Sequence, residues 1–210
     1  TYGPYTHTGL RTSYAINDKF SVMGMVANGW DNSVDTNNGK VWCAELNYAL
    51  FNNVALSYHW MGGPETQLIN VNNEMGWRHL HDFIATIGLT DKLKMTLNAD
   101  YGHDDMNPTI VTGDDANWWM FVGYLRYDHN KWFSMNVRGE SFDDSDGART
   151  GFRQHMWELT LTPEFRVHKH LVVRPEYRHD ESNVDSFAAS TSGRLVNAQD
   201  TFAVNALFFF

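Results

Sequence analysis

Apolar and polar residues alternate along most of the chain with a period of two. About eleven segments of roughly ten residues show this alternation, and none has a convincing helical period. A period of two predicts strands with one apolar and one polar face, and about ten residues allow a tilted strand to cross a bilayer. The predicted strands are 6–17, 20–31, 40–51, 54–63, 78–90, 93–104, 118–129, 132–142, 153–167, 171–181 and 200–210.

Short and long connections alternate strictly between these segments. The short ones hold turn-forming residues such as Asn52 and Asn53, whereas the long ones are rich in Asn, Asp, Gly and Ser. This sorting is typical of an outer-membrane barrel, with long loops extracellular and short turns periplasmic, and a soluble sandwich or lipocalin has no reason for it. We therefore predict an all-β fold, a transmembrane antiparallel up-and-down β-barrel, as a single domain over residues 1–210. The predicted long loops are 32–39, 64–77, 105–117, 143–152 and 182–199.

Aromatic residues gather at both ends of the predicted apolar faces. Because amphipathic rings prefer the headgroup level of a bilayer, two such belts indicate that the apolar face contacts lipid. The predicted membrane-interface belt consists of Trp30, Trp42, Tyr58, Trp60, Tyr101, Trp119, Trp157 and Tyr177 at the extracellular end and Phe210 at the other end.

Composition alone would suggest a soluble acidic domain, since the net charge is −9 and the mean hydropathy is −0.45. The chain contains no run of eighteen or more apolar residues, which excludes a transmembrane helix. Barrel strands do not raise the mean hydropathy in this way, because only alternate residues need to be apolar.

The chain ends within a predicted strand, on Phe210. With that end in the periplasm, the first strand runs away from the cell surface, and single-chain barrels normally have an even number of strands. At least one further strand is therefore expected upstream of Thr1. A closed barrel offers no free edge, so Pro163 and Pro175, which lack a ladder donor, are expected to mark local bulges.

The polar faces supply the candidate pore-lining residues. Two interpretations of their balanced charges stay open: a cross-strand ion-pair lattice that stiffens the wall, and a constriction whose field orients polar solutes. Apolar Ile84, Val122 and Phe209 on the same face favour an inward-folded loop or plug. The candidates are Glu45, Lys94, Asp100, Arg126, Arg138, Glu140, Glu158, Arg166, Arg174, Glu176 and Arg178.

We expect no metal, no cofactor and no enzymatic activity. The run 143–147 has part of a calcium-loop spacing, but Phe142 stands where the first ligand should be. The ten histidines form no HExxH or CxxCH motif, and Cys43 has no partner for a disulfide within the chain. The remaining loop acids are expected to be solvated at the extracellular mouth; they are Asp104, Asp105, Asp114, Asp115, Asp143, Asp144, Asp146, Asp180, Glu181 and Asp185.

Several stretches resemble the OmpL-like β-barrel porin family, in particular its C-terminal part. They are Asn28-Gly29-Trp30-Asp31, the stretch 138–147 followed by Arg149-Thr150-Gly151, the stretch 174–182 and the terminal Phe210. The resemblance implies an outer-membrane porin of more than 210 residues.

The expected function is passive diffusion of small hydrophilic solutes or ions through a charged lumen. The alternative is a structural or scaffold barrel that sheaths or anchors a redox or lipoprotein partner without transport of its own. Expected partners are outer-membrane lipid and lipopolysaccharide, the barrel-assembly machinery acting through Phe210, and a second copy or a partner protein. Nucleic acid is not expected.

Overall fold

The computed structural model describes residues 3–35, 39–67, 75–105, 115–189 and 193–210. Eleven strands form a single antiparallel sheet. The first ten strands pair in chain order, and the tenth pairs with the last strand of the chain. Its strands are β1 (Gly9–Ala15), β2 (Phe20–Ala27), β3 (Val41–Phe51), β4 (Val54–Gln67), β5 (Met75–Gly88), β6 (Leu93–Asp104), β7 (Ala116–Asp128), β8 (Phe133–Asp144), β9 (Gln154–His168), β10 (Leu171–Ser182) and β13 (Ala198–Phe208). A separate hairpin joins β11 (Phe187–Ala188) to β12 (Leu195–Val196).

The predicted all-β, up-and-down architecture is confirmed. Within the described residues, β1 and β13 are the two edges of the sheet and do not pair with each other. The further strand upstream of Thr1 stays a prediction. No helix among the described residues is long and apolar enough to cross a membrane.

Several element ends differ from the sequence prediction by two residues or more. Strand β2 ends at Ala27, because Gly29 adopts a φ of 141° and Asp31 one of 61°, which turns the chain away from the sheet. Strand β1 begins at Gly9, later than predicted. Strands β4 and β5 extend further, to Gln67 and from Met75, and the small β11–β12 hairpin lies within a predicted loop.

The two faces of the sheet are exposed in the opposite sense to those of a soluble protein. In β9, Glu158 is 4% exposed, whereas its neighbours Trp157 and Leu159 are 43% and 39% exposed. The buried polar face is called here the inner face, and the exposed apolar face the outer face. Burying a charged face and exposing aromatic and aliphatic side chains is stable only if the outer face contacts lipid.

The two strand prolines do not mark bulges. Val173 pairs with Phe165 and Tyr177 with Leu161, so the register of β9 and β10 is the same on both sides of the prolines. The register shift between these strands lies instead at Leu171 and Val172. The prediction of bulges was wrong because the two prolines fall opposite each other.

Candidate functional site

The inner face of β7–β10 carries two carboxylates that each bind several arginines. The first is Glu164, whose Oε1 lies 3.0 Å from Nη2 of Arg126 and whose Oε2 lies 2.8 Å from Nε of Arg174. Arg166 is more distant, with its Nη2 3.9 Å from Oε1. Because these arginines come from β7, β10 and β9 itself, Glu164 links strands across the inner face.

The second carboxylate is Glu158, nearer the long loops. Its Oε2 lies 3.4 Å from Nη1 of Arg138 and 3.4 Å from Nε of Arg178. Arg138 also pairs with Glu140, and Arg178 donates to Asp180 from Nε at 2.8 Å. The ion pairs therefore continue from β8 to β10.

The arginines of this surface, called here the arginine wall, lie nearer the lumen than the carboxylates. The side chains of Arg126, Arg174 and Arg178 are 33%, 40% and 37% exposed, whereas those of Glu158 and Glu164 are 3% and 5% exposed. The buried carboxylates thus partly neutralise the arginine charges from the side of the sheet. The groups exposed toward the lumen are mainly guanidinium groups. The cross-strand ion-pair lattice is therefore present on this surface, and the charged constriction stays a prediction.

An acidic row crosses the inner face on the adjoining strands β3 to β6. Glu45, His59, Asp82 and Asp100 occupy directly opposite positions on β3 to β6. Nδ1 of His59 lies 2.8 Å from Oδ2 of Asp82, and Nη2 of Arg11 lies 3.4 Å from Oε2 of Glu45. Acidic and arginine-rich surfaces therefore lie on different strands of the inner face.

All eleven candidate pore-lining residues lie on the inner face of their strands. Eight of them belong to β7–β10: Arg126, Arg138, Glu140, Glu158, Arg166, Arg174, Glu176 and Arg178. Lys94 lies opposite Arg126, and Glu45 and Asp100 belong to the acidic row. Glu176 accepts a hydrogen bond from Thr162 at 2.9 Å.

Several inner-face acids were missing from the candidates. Alternation along β9 places Glu164 beside Glu158 on the same face, although it is not among the candidates. The prediction that Asp104, Asp144 and Asp180 are solvated at the extracellular mouth is wrong: they are at most 1% exposed, because they lie on the inner face at the ends of β6, β8 and β10. Asp114 lies outside the described residues.

Two loops fold over the inner face where the long connections emerge. We call residues 28–35 and 145–153 together the plug. Trp30 is 8% exposed and packs edge-on against Trp118 of β7, with ring centroids 6.4 Å apart. The apolar cluster around them contains Val41, Met61, Met120, Val122 and Phe142, with Ala148 against it. Val122 lies under the plug, as its position on the polar face had indicated.

Arg149 of the plug lies against both indole rings. Its Cζ is 5.1 Å from the ring centroid of Trp30 and 5.2 Å from that of Trp118, which are cation–π distances. Burial lowers the pKa of the Arg149 guanidinium from its ordinary value. Nε of Arg149 and Nε1 of both tryptophans are buried and have no hydrogen-bond acceptor among the described residues.

Buried carboxylates fix the conformation of both plug segments. Oε1 of Glu65 accepts a hydrogen bond from the backbone N–H of Trp30 at 2.9 Å. Oδ2 of Asp144 accepts bonds from the backbone N–H and the hydroxyl of Thr150 at 2.8 and 2.7 Å. Asp146 accepts a bond from the N–H of Asn117 at 2.9 Å, so the acids of the run 143–147 are directed to separate donors.

The predicted belt residues occupy the outer face, with one correction. Trp42, Trp119 and Trp157 are 54%, 47% and 43% exposed on that face. Tyr58, Trp60, Tyr101 and Tyr177 share it, with ring contacts to neighbours such as Trp119, 4.2 Å from Tyr101, and Phe202, 5.0 Å from Tyr177. Phe210 is fully exposed beyond the end of β13. Trp30 does not belong to the belt, because β2 ends before it and the turn at Gly29 directs it inward.

Solved structures similar to this chain include a porin and an outer membrane channel. The NanC porin is 13% identical with a TM-score of 0.56, and the match covers 96% of this chain and 92% of NanC. The outer membrane channel DcaP of Acinetobacter baumannii is 10% identical with a TM-score of 0.64, covering 99% of this chain and 68% of DcaP. A FadL homologue of Pseudomonas aeruginosa is 11% identical with a TM-score of 0.53, covering 93% of this chain and 64% of that protein. At such identities the likeness establishes the fold alone.

No curated protein matches the sequence. The family model described as "Putative beta-barrel porin-2, OmpL-like" matches residues 1–210, the whole chain. Fold, exposed apolar face and family agree on an integral protein of the bacterial outer membrane. The chain belongs to the OmpL-like β-barrel porin family.

Proposed function

We propose that this protein is a channel for passive diffusion of small hydrophilic solutes or ions through a charged lumen. The observation that carries the proposal is the arginine wall, where guanidinium groups lie over buried carboxylates on the inner face of β7–β10. A scaffold needs only a neutral polar inner face, whereas partly exposed charges of one sign facing a lumen attract and orient ions.

The plug sets the width of this channel at its loop end. Trp30 and Arg149 reach over the inner face from two different loops and contact each other there. Solutes that enter would meet this narrow region and then the arginine wall. We propose that the long loops face the outside of the cell, that the short turns face the periplasm, and that Phe210 is read by the barrel-assembly machinery.

The test is single-channel recording of the purified full chain in planar bilayers. In a potassium chloride gradient, Arg138→Gln together with Arg174→Gln should raise the permeability ratio of potassium to chloride about twofold, since two lumen cations are removed. A matched control replaces two exposed lysines of the short turns, Lys19→Gln and Lys169→Gln, and should leave the reversal potential unchanged.

Two results would count against the proposal. An unchanged reversal potential in the double arginine variant would remove these side chains from the conduction path. A correctly folded wild-type protein that never conducts would favour the scaffold alternative, in which the barrel sheaths or anchors a partner protein.

A further inference from the structure

Three sulfur-bearing side chains form one row across the inner face. Met25 of β2 lies directly opposite Cys43 of β3, and Cys43 lies directly opposite Met61 of β4. Directly opposite residues in an antiparallel sheet have Cβ atoms about 4.5–5.5 Å apart, which lets neighbouring sulfur atoms approach a common ion. We call these three residues the sulfur row.

The sulfur row borders a cavity of about 340 Å³ inside the lumen. Met23 and His59 line the same cavity, and the segment 3–7 contributes Gly3, Pro4 and His7 to its lining. The cavity therefore brings thioether, thiol and imidazole groups to one space, two residues along their strands from the acidic row.

Both ring nitrogens of His59 face carboxylates. Its Nδ1 lies 2.8 Å from Oδ2 of Asp82, and its Nε2 lies 3.9 Å from Oε2 of Glu45, an ion-pair distance when the imidazole is protonated, so a metal ion at Nε2 would replace a proton there. Metal-binding histidines commonly give their other ring nitrogen to a carboxylate, which fixes the tautomer and leaves one nitrogen for the metal. The carboxylates of the acidic row also favour a cation in this cavity.

We propose that the sulfur row and His59 bind a soft monovalent cation, Cu(I). Thioether and thiolate ligands select Cu(I), whereas calcium and magnesium require oxygen ligands. The site stands apart from the arginine wall and does not depend on conduction. Met61 and Cys43 also pack against the apolar cluster under the plug. If that were their only role, leucine at position 61 would serve equally well, whereas a Cu(I) site requires the sulfur atom.

The test measures Cu(I) binding by the full chain in detergent, without oxygen, in competition with a chromogenic Cu(I) chelator. Wild type should bind one Cu(I). Met25→Leu with Met61→Leu should weaken binding at least about tenfold while keeping the fold, since leucine and methionine have similar volumes. Met95→Leu, on the outer face of β6, is the matched control and should bind like wild type. Silver(I) should displace the bound copper and zinc should not.

Three results would overturn the proposal: no Cu(I) binding by the wild type, equal binding by the Met25→Leu, Met61→Leu variant, or equal loss in the Met95→Leu control. Cys43→Ser should also weaken binding. If that variant fails to fold, the methionine pair decides alone, and heat-dependent migration in detergent gels reports whether each variant is folded.

Discussion

Pro163 of β9 lies opposite Pro175 of β10, as the unchanged register on either side requires. An ordinary residue pair here would exchange two N–H···O=C bonds, and both donors are absent because proline has no N–H. The pairs Met135 with Pro163 and Pro175 with Val204 keep their register, so the sheet is interrupted at one rung only. No N–H group is left unpaired in lipid by this arrangement.

Restoring that rung should stabilise the protein. Replacing both residues, Pro163→Val with Pro175→Val, supplies two donors that face each other's carbonyl oxygens, each bond contributing about 1 kcal/mol. The temperature at which the folded form is lost in detergent gels should rise, with conductance unchanged. A lower unfolding temperature would mean that the strands are spaced too far apart here to bond.

Strand positions and faces followed from the sequence because alternation is a local property. Glu158 between Trp157 and Leu159 is assigned to the inner face by period alone. The inward position of Trp30 could not be predicted in this way, because it depends on a turn at Gly29 and on Glu65, 35 residues further along the chain. The opposition of the two prolines depends on the register between strands, which single-chain periodicity does not contain.

Gly102 should tolerate no larger residue while Trp118 is present. The two residues are directly opposite on β6 and β7, and a Cβ added to Gly102 would lie 1.8 Å from Cε2 of Trp118. Gly102→Ala should therefore lower the unfolding free energy by about 1–3 kcal/mol, as overpacking does.

A double-mutant cycle with Trp118→Ala checks this explanation of Gly102. In the Trp118→Ala background the same Gly102→Ala change should cost much less, because the clashing ring has been removed. Equal destabilisation in both backgrounds would show that the backbone, not the indole, requires glycine. The unfolding free energy can be measured by urea titration in lipid vesicles with tryptophan fluorescence.

Neutralising Glu164 should change both the ion selectivity and the unfolding free energy, because both depend on its negative charge. Glu164→Gln removes the negative charge beneath Arg126 and Arg174, so the lumen becomes more positive and the permeability to chloride relative to potassium should rise. The loss of two ion pairs with partly exposed arginines should also lower the unfolding free energy by about 1–2 kcal/mol. Glu181→Gln, on the outer face of β10, is the control. A shift toward potassium would contradict the placement of Glu164 under the arginine wall.

Removing the plug's anchor should widen the channel. Trp30→Ala deletes the ring that packs against Trp118 and contacts Arg149 through a cation–π interaction. Both plug loops therefore lose contacts that fix them over the inner face. Single-channel conductance should increase, and larger neutral sugars should pass in liposome-swelling assays. Trp42→Ala, which removes an exposed indole from the outer face of β3, is the matched control and should leave conductance unchanged. If conductance falls or stays constant in the folded Trp30→Ala protein, the plug does not narrow the conduction path.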